Sequence, residues 1–202
     1  MKIPLFPLDV VLFPGAPLAL HIFEERYKEM IGACIRDKGE FGVVRARRDG
    51  LAIVGCTASI LTVTRKYPDG RMDILCRGER RFEIELLDDG RSFLQAEVDF
   101  LAEEEPCSTR PDRERCAALH MEMLALAGSE TSDGMHLDLN QPVAYLLASA
   151  VPADLEFKQE LLHLHSDEKR TLRLIEFYEA ILPKLHRGSM VGKAAARNGH
   201  VM

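Results

Sequence analysis

Short apolar runs separated by turn residues fill the first hundred positions, and this pattern is typical of β-strands. Runs at 3–6 and 18–23 flank the turn signal Phe13-Pro14-Gly15. Runs rich in Val, Ile, Thr and Phe, or alternating with charged residues, predict further strands at 41–44, 53–67, 72–76, 81–87 and 93–101. The sequence Pro68-Asp69-Gly70 provides the turn of a hairpin between two of them.

Helical periodicity appears once inside this region and again in the second half of the chain. From position 24 the apolar residues recur at i, i+3, i+4, i+7 and i+8, which predicts an amphipathic helix ending near 38–39. Further helices are predicted at 113–126, 141–150 and 154–165, and a last one follows the N-cap residue Ser166. We therefore predict a strand domain at 1–105, a helical domain at 106–186 and a flexible tail at 187–202.

The balance of charge and the cysteines limit the classes of function. The formal net charge of -6 argues against a surface built for nucleic acid. Five cysteines without a CxxC pair predict reduced thiols rather than a disulfide framework or a zinc site. Prolines and Asp9 interrupt the apolar N-terminus, which excludes a signal peptide, and no apolar run is long enough to cross a membrane. We expect a cytoplasmic protein without a membrane partner.

Catalytic motifs are incomplete. The segment from Gly188 to Lys193 is one residue short of a phosphate-binding loop and follows a helix instead of a strand. The sequence Ser166-Asp167-Glu168-Lys169 matches a serine-enzyme motif, but an N-cap serine explains it better. A Cys/His nucleophilic pair stays open, because such partners meet only in the fold. We predict a protein that is not an enzyme and has no catalytic residue, metal site or cofactor.

A loop of four large apolar residues, 10–13, is the main candidate for binding. Such a loop is normally buried, but any exposed part would form a patch suited to unfolded chains. Two residues near the start of the first helix follow closely and are expected to line the same groove, although the tyrosine also belongs to the apolar stripe of that helix. The predicted binding residues are Val11, Leu12, Phe13, Arg26 and Tyr27.

Two arginine clusters, at 45–48 and 77–81, keep a second interpretation open. A continuous positive face joining them would indicate a module that binds RNA or a small ligand. Carboxylates surround both clusters, which favours solvated loop charge.

The order of these residues resembles the N-terminal domain family of Lon proteases. The resemblance begins with Ile3-Pro4-Leu5-Phe6-Pro7-Leu8 and Val11-Leu12-Phe13-Pro14-Gly15, and continues through 18–24 and Arg26-Tyr27. It extends over 41–44, 54–56, 68–71, 78–82 and 157–162, and covers about residues 1–186.

This resemblance implies an α+β fold, in which a PUA-like β-barrel with an inserted helix precedes a C-terminal α-helical bundle. It also implies a substrate-binding domain that captures unfolded or degron-bearing polypeptides in protein quality control. We expect a non-catalytic, stand-alone module whose partners are such polypeptides, a separate protease or ATPase, and a second copy in a homo-oligomer. We do not expect nucleic acid as a partner.

Overall fold

The computed structural model describes residues 1–102, 106–127 and 137–198, with side chains up to residue 187. It divides the chain into two compact units, Met1–Glu103 with Ala148–His165, and Glu104–Leu147 with Ser166–Met202. The strands are β1 Lys2–Leu8, β2 Pro17–Ile22, β3 Phe41–Arg47, β4 Gly50–Leu51, β5 Val54–Lys66, β6 Met72–Asp88 and β7 Gln95–Phe100. The helices are α1 Glu25–Asp37, α2 Arg110–Leu126, α3 Ala144–Ala150, α4 Leu155–His163 and α5 Asp167–Asn198.

The strands of the first unit form a sheet whose pairings close on themselves. The order is β1-β7-β6-β5-β3-β4, and a parallel pairing of 5–8 in β1 with 42–45 in β3 completes a ring of five strands. The residues that face the inside of this ring are large and apolar, as alternation in the sequence predicts. They include Ile3, Leu5, Val44, Phe82 and Val98.

Strand β6 connects most of the sheet. It was predicted as two strands, at 72–76 and 81–87, but it runs continuously over 17 residues. Strand β5 pairs with β6 along one edge, whereas the other edge pairs first with β2 and then with β7. In the sequence, Gly78 suggests that the strand is interrupted. In the structure the strand continues through Gly78, and the partner along this edge changes there from β2 to β7.

Gly78 permits a close approach between β6 and the loop that precedes β2. The Gly78 amide donates to the carbonyl of Ala16, and the Gly15 amide donates to the carbonyl of Gly78, at 2.9 and 2.8 Å. A Cβ atom on residue 78 would lie 2.1 Å from the carbonyl oxygen of Phe13. Only glycine fits at this position.

Helix α1 confirms four of the five residues of the predicted apolar stripe. Tyr27, Met30, Ile31 and Cys34 are buried, as their spacing predicts, whereas Ile35 is exposed. The helix ends where Lys38 adopts a left-handed conformation with φ 51°.

The predicted domain boundary at 105 differs from the division in the structure, because residues 148–165 join the first unit. Arg81 is buried and donates to the carbonyls of Leu162, Leu164 and Ala102. Gln159 in α4 donates to the carbonyl of Val54 at 3.0 Å. The bonds from Arg81 to Leu162 and Leu164 and from Gln159 to Val54 span about eighty residues or more of sequence, so local patterns could not reveal them. The predicted boundary residues 103–105 lie outside the described part.

The second unit contains helices α2 and α5, which pack together. His120 and Tyr178 are buried between them and share a hydrogen bond of 2.8 Å. The predicted N-cap is confirmed, since the Lys169 amide donates to Ser166 Oγ. Within the predicted flexible tail at 187–202, helix α5 continues to Asn198, and residues 199–202 lie outside the described part. Its Lys-Ala-Ala-Ala-Arg sequence, 193–197, favours helix, and Pro183 is accommodated within it.

Within the described residues, no helix combines the length and the apolar character that crossing a bilayer requires. No disulfide joins the five cysteines, all of which lie in that part. Four of the thiols are buried and one, Cys107, is exposed. Burial raises the pKa of Cys34 to about 11 and the pKa values of Cys56, Cys76 and Cys116 to about 12.

We predict that Gly78→Ala lowers the free energy of unfolding by about 3 kcal/mol or more, because the added methyl group meets backbone rather than a side chain that can move. Gly39→Ala is the matched control, since a Cβ there meets nothing within 4 Å, and we expect a change below about 0.5 kcal/mol. Urea unfolding followed by circular dichroism measures both. Equal stabilities of the two variants would contradict the close approach at Gly78.

We predict that a disulfide reagent such as DTNB modifies one thiol per native chain rapidly at pH 8. The raised pKa values keep the four buried thiols protonated at this pH, and only the thiolate reacts. Cys107→Ser removes the rapid phase, whereas all five thiols of the original chain react in guanidinium chloride. A rapid phase that persists in the Cys107→Ser variant would show that a buried thiol is reactive.

Candidate functional site

A groove of about 320 Å³ lies in the first unit, beside the ends of two strands. Strand β1 contributes Phe6, Pro7 and Leu8, and β2 contributes 20–22. The junction between β2 and α1 completes the groove with Phe23, Glu24, Arg26 and Tyr27. It therefore contains two of the five predicted binding residues.

The floor of the groove is aromatic. The rings of Phe6 and Tyr27 stack with centroids 4.0 Å apart, and Phe41 lies 6.1 Å from Phe6. Burial raises the pKa of the Tyr27 hydroxyl, so it stays protonated at neutral pH. Tyr27 is thus part of the helix stripe and of the groove at once, and the floor offers apolar surface without a charge.

One aromatic residue at the rim is exposed. Phe23 leaves 59% of its surface accessible although it directly follows the buried Ile22. The sequence contains the signal for this arrangement, since alternation along 18–23 places Ile22 and Phe23 on opposite faces. Phe23 was predicted only as the end of a strand, and its role at the rim was missed.

A polar pair holds the exposed ring in position. His21 Nδ1 lies 2.5 Å from Asp73 Oδ1, directly across the β2–β6 ladder. Tyr67 donates to the same carboxylate at 2.9 Å. The hydrogen bonds from His21 and then Tyr67 lower the pKa of Asp73. The His21 ring stacks against Phe23 with a centroid separation of 6.0 Å, which orients the phenyl group.

The charged residues of the rim neutralise each other. Arg26 Nη2 lies 2.8 Å from Glu24 Oε2, and its guanidinium carbon lies 4.6 Å from the centre of the Tyr27 ring. Both side chains are exposed, so the pair contributes little to stability. Its effect is to leave the groove without an unpaired arginine.

The predicted apolar loop does not line this groove. Leu12 and Phe13 are 4% and 0% exposed, and Val11 is half-buried. Gly78 brings the backbone of Phe13 against β6, which turns the loop into core. The side chains of Leu12 and Phe13 therefore do not reach a ligand in this conformation.

The arginine clusters are largely paired with carboxylates. Arg45 Nη2 lies 2.9 Å from Glu156 in a cavity of about 810 Å³ that also contains Asp9, Asp49 and Asp154. In the second cluster, Arg77 pairs with Glu79 and Arg80 pairs with Glu40, whereas Arg81 is buried. Carboxylates thus offset charge in both clusters, which does not favour binding of a phosphate backbone.

The described residues provide little for chemistry. No cluster of His, Cys, Asp or Glu among them is suited to hold a metal ion. The segment that resembles a phosphate-binding loop, 188–193, lies within helix α5. The buried thiols are protonated at neutral pH. The arrangement of the groove is suited to binding.

Comparison with known proteins assigns the chain to a family. A family model described as the substrate-binding domain of ATP-dependent protease La (LON) matches residues 2–179. The Lon protease of Parabacteroides distasonis is 27% identical over 190 residues, which are 86% of this chain and 23% of that protein. The Lon protease of Paraburkholderia phytofirmans is 26% identical over 200 residues, 92% of this chain and 25% of that protein. The chain thus spans about a quarter of the length of these relatives.

Two solved structures share the fold. The crystal structure of a Lon N-terminal domain protein from Xanthomonas campestris aligns with a TM-score of 0.70 and 25% identity, over 87% of this chain and 98% of that chain. The N-terminal domain of Lon protease from the Mycobacterium avium complex aligns with a TM-score of 0.65 and 21% identity, over 89% and 98%. Since the family model covers nearly the whole chain, this protein belongs to the family of the LON substrate-binding domain.

Proposed function

We propose that the groove between β1, β2 and α1 binds apolar segments of unfolded or degron-bearing polypeptides without changing them chemically. The observation that carries this proposal is the exposed Phe23 ring at the rim of an apolar groove. Covering a large aromatic side chain that is exposed to water lowers the free energy, by about 1.5–3 kcal/mol for complete burial. Exposed aromatic anchors of this kind dominate binding energies.

The size of the groove suits a short segment. Its volume of about 320 Å³ lies at the lower end of the range for ligand sites, about 300–1,000 Å³. A few side chains of an unfolded chain fill such a space, whereas a folded partner presents a broad surface. The groove therefore favours clients whose apolar side chains are already exposed.

The family supports a polypeptide as the ligand. The matching family model describes a substrate-binding domain, and the relatives are named as proteases. We extend this to a role in cytoplasmic protein quality control, in which this chain binds clients and a separate ATPase or protease acts on them. The closed ring of strands is consistent with the PUA-like barrel that the resemblance implies.

Binding of labelled, permanently unfolded model protein, measured by fluorescence anisotropy, tests the proposal. We predict saturable binding of the unfolded form and none of a folded control. Phe23→Ser weakens this binding about tenfold, a change of about 1.4 kcal/mol, because it removes the rim anchor. Leu86→Ser is the matched control, since Leu86 is 61% exposed but lies outside the groove, and we expect an effect below about twofold.

Three results would contradict the proposal. The first is an absence of binding to the unfolded form, and the second is equal binding to the folded form. The third is equal weakening by Phe23→Ser and Leu86→Ser, which would indicate a non-specific apolar surface. Tight binding of RNA with a steep dependence on salt would instead support the alternative function.

A further inference from the structure

Strand β2 forms a wall of the groove and is hydrogen-bonded along only one of its edges. Its residues Pro17–Ile22 pair with 72–77 of β6, and no other strand in the described part of the chain pairs with β2. In a β-strand the N–H and C=O groups of successive residues point to opposite edges. Three of the six residues of β2 therefore point these groups away from β6. Even if Pro17 is one of the three, at least two N–H groups and three carbonyl groups are available there.

The groove lies beside the last three residues of β2. It is lined by Leu20, His21 and Ile22, which are consecutive and therefore alternate between the two faces of the strand. A cavity above one face of a strand would contact only every second residue. Contact with consecutive residues therefore places the open space beside the strand, where another strand would lie.

A second open edge in the same unit shows the features that normally prevent pairing. Strand β5 pairs with β3 only as far as Ala58, so residues 59–66 have β6 as their one partner strand among the described residues. This part contains two register shifts, between Ile60 and Thr62 and between Val63 and Arg65, and it ends with Arg65 and Lys66. Bulges and cations on an edge discourage the addition of strands.

Strand β2 lacks these protective features. Its register with β6 is continuous over six residues, and it contains no Lys, Arg, Asp or Glu. His21 is the one titratable side chain in it, and Asp73 accepts its hydrogen bond or ion pair. The edge is thus regular and uncharged, which is the state in which edges accept a further strand.

The charges around the groove define the occupant. Arg26 and Glu24, which both line the groove, are paired with each other, and His21 is hydrogen-bonded to Asp73. A charged segment would find no free counter-charge, whereas an uncharged apolar segment loses nothing and covers the exposed ring of Phe23.

We propose that an extended, uncharged, apolar polypeptide segment binds in the groove as an additional β-strand along the free edge of β2. This inference rests on the proposed function and specifies its substrate as extended chain, held by backbone hydrogen bonds as well as by side chains. Capture of a helix, or capture through side chains alone, would contradict this inference.

The test uses a labelled nine-residue peptide of alternating valine and serine in three forms: unmodified, N-methylated on the valines, and N-methylated on the serines. Only one of the two sets of N–H groups points towards β2 when the valines face the groove floor. We predict that one methylated form binds at least thirtyfold more weakly than the unmodified peptide, while the other stays within about threefold. Anisotropy titrations of the full chain measure all three dissociation constants.

Equal affinities of the two methylated forms overturn the proposal, because a single strand edge must distinguish them. Saturable binding of unfolded protein together with no binding of the unmodified peptide also overturns it, but leaves the proposed function intact. Failure of both the unfolded protein and the peptide to bind contradicts the proposed function itself. Titration of the Phe23→Ser variant with the unmodified peptide tests whether the peptide binds in the groove, and we expect its affinity to fall about tenfold.

Discussion

A β-strand has only two edges, and strand β6 uses both of them along most of its length. Strand β5 occupies one edge, and β2 and β7 divide the other on either side of Gly78. The division requires the chain before β2 to cross β6 at contact distance, which glycine permits and alanine would prevent. This crossing buries Phe13 and leads the chain into β2, after which Tyr27 of α1 stacks on Phe6 of β1.

The same constraint creates the candidate site. Among the described strands, β2 gains a partner on one side only, and the turn into α1 leaves Phe23 in water while Ile22 enters the core. The cross-strand pair of His21 and Asp73 then fixes both the strand and the orientation of the phenyl ring. An exposed aromatic ring beside an open strand edge is unfavourable for an isolated protein, and a bound segment relieves both conditions together.

The side chains of the described residues are consistent with a role in binding. The buried thiols are protonated at neutral pH, and the arginines of the two clusters largely face carboxylates or lie in the core. What remains at the groove is apolar surface and backbone hydrogen-bonding capacity, neither of which depends on one particular sequence. Under the proposed function, such a site would suit many different unfolded clients and need no energy source for the binding step itself.

The sequence by itself determined most of the local structure. Short apolar runs bounded by turn residues predicted β1, β2 and β7, and the helical spacing from Tyr27 to Cys34 predicted α1 with its buried face. These patterns act over a few residues, so they are readable from the chain. Only the tertiary structure decided that 148–165 joins the first unit and that Leu12 and Phe13 are core. Each of these outcomes depends on contacts between residues distant in sequence, such as Gly78 with Phe13 and Arg81 with Leu162, and no local periodicity records such contacts.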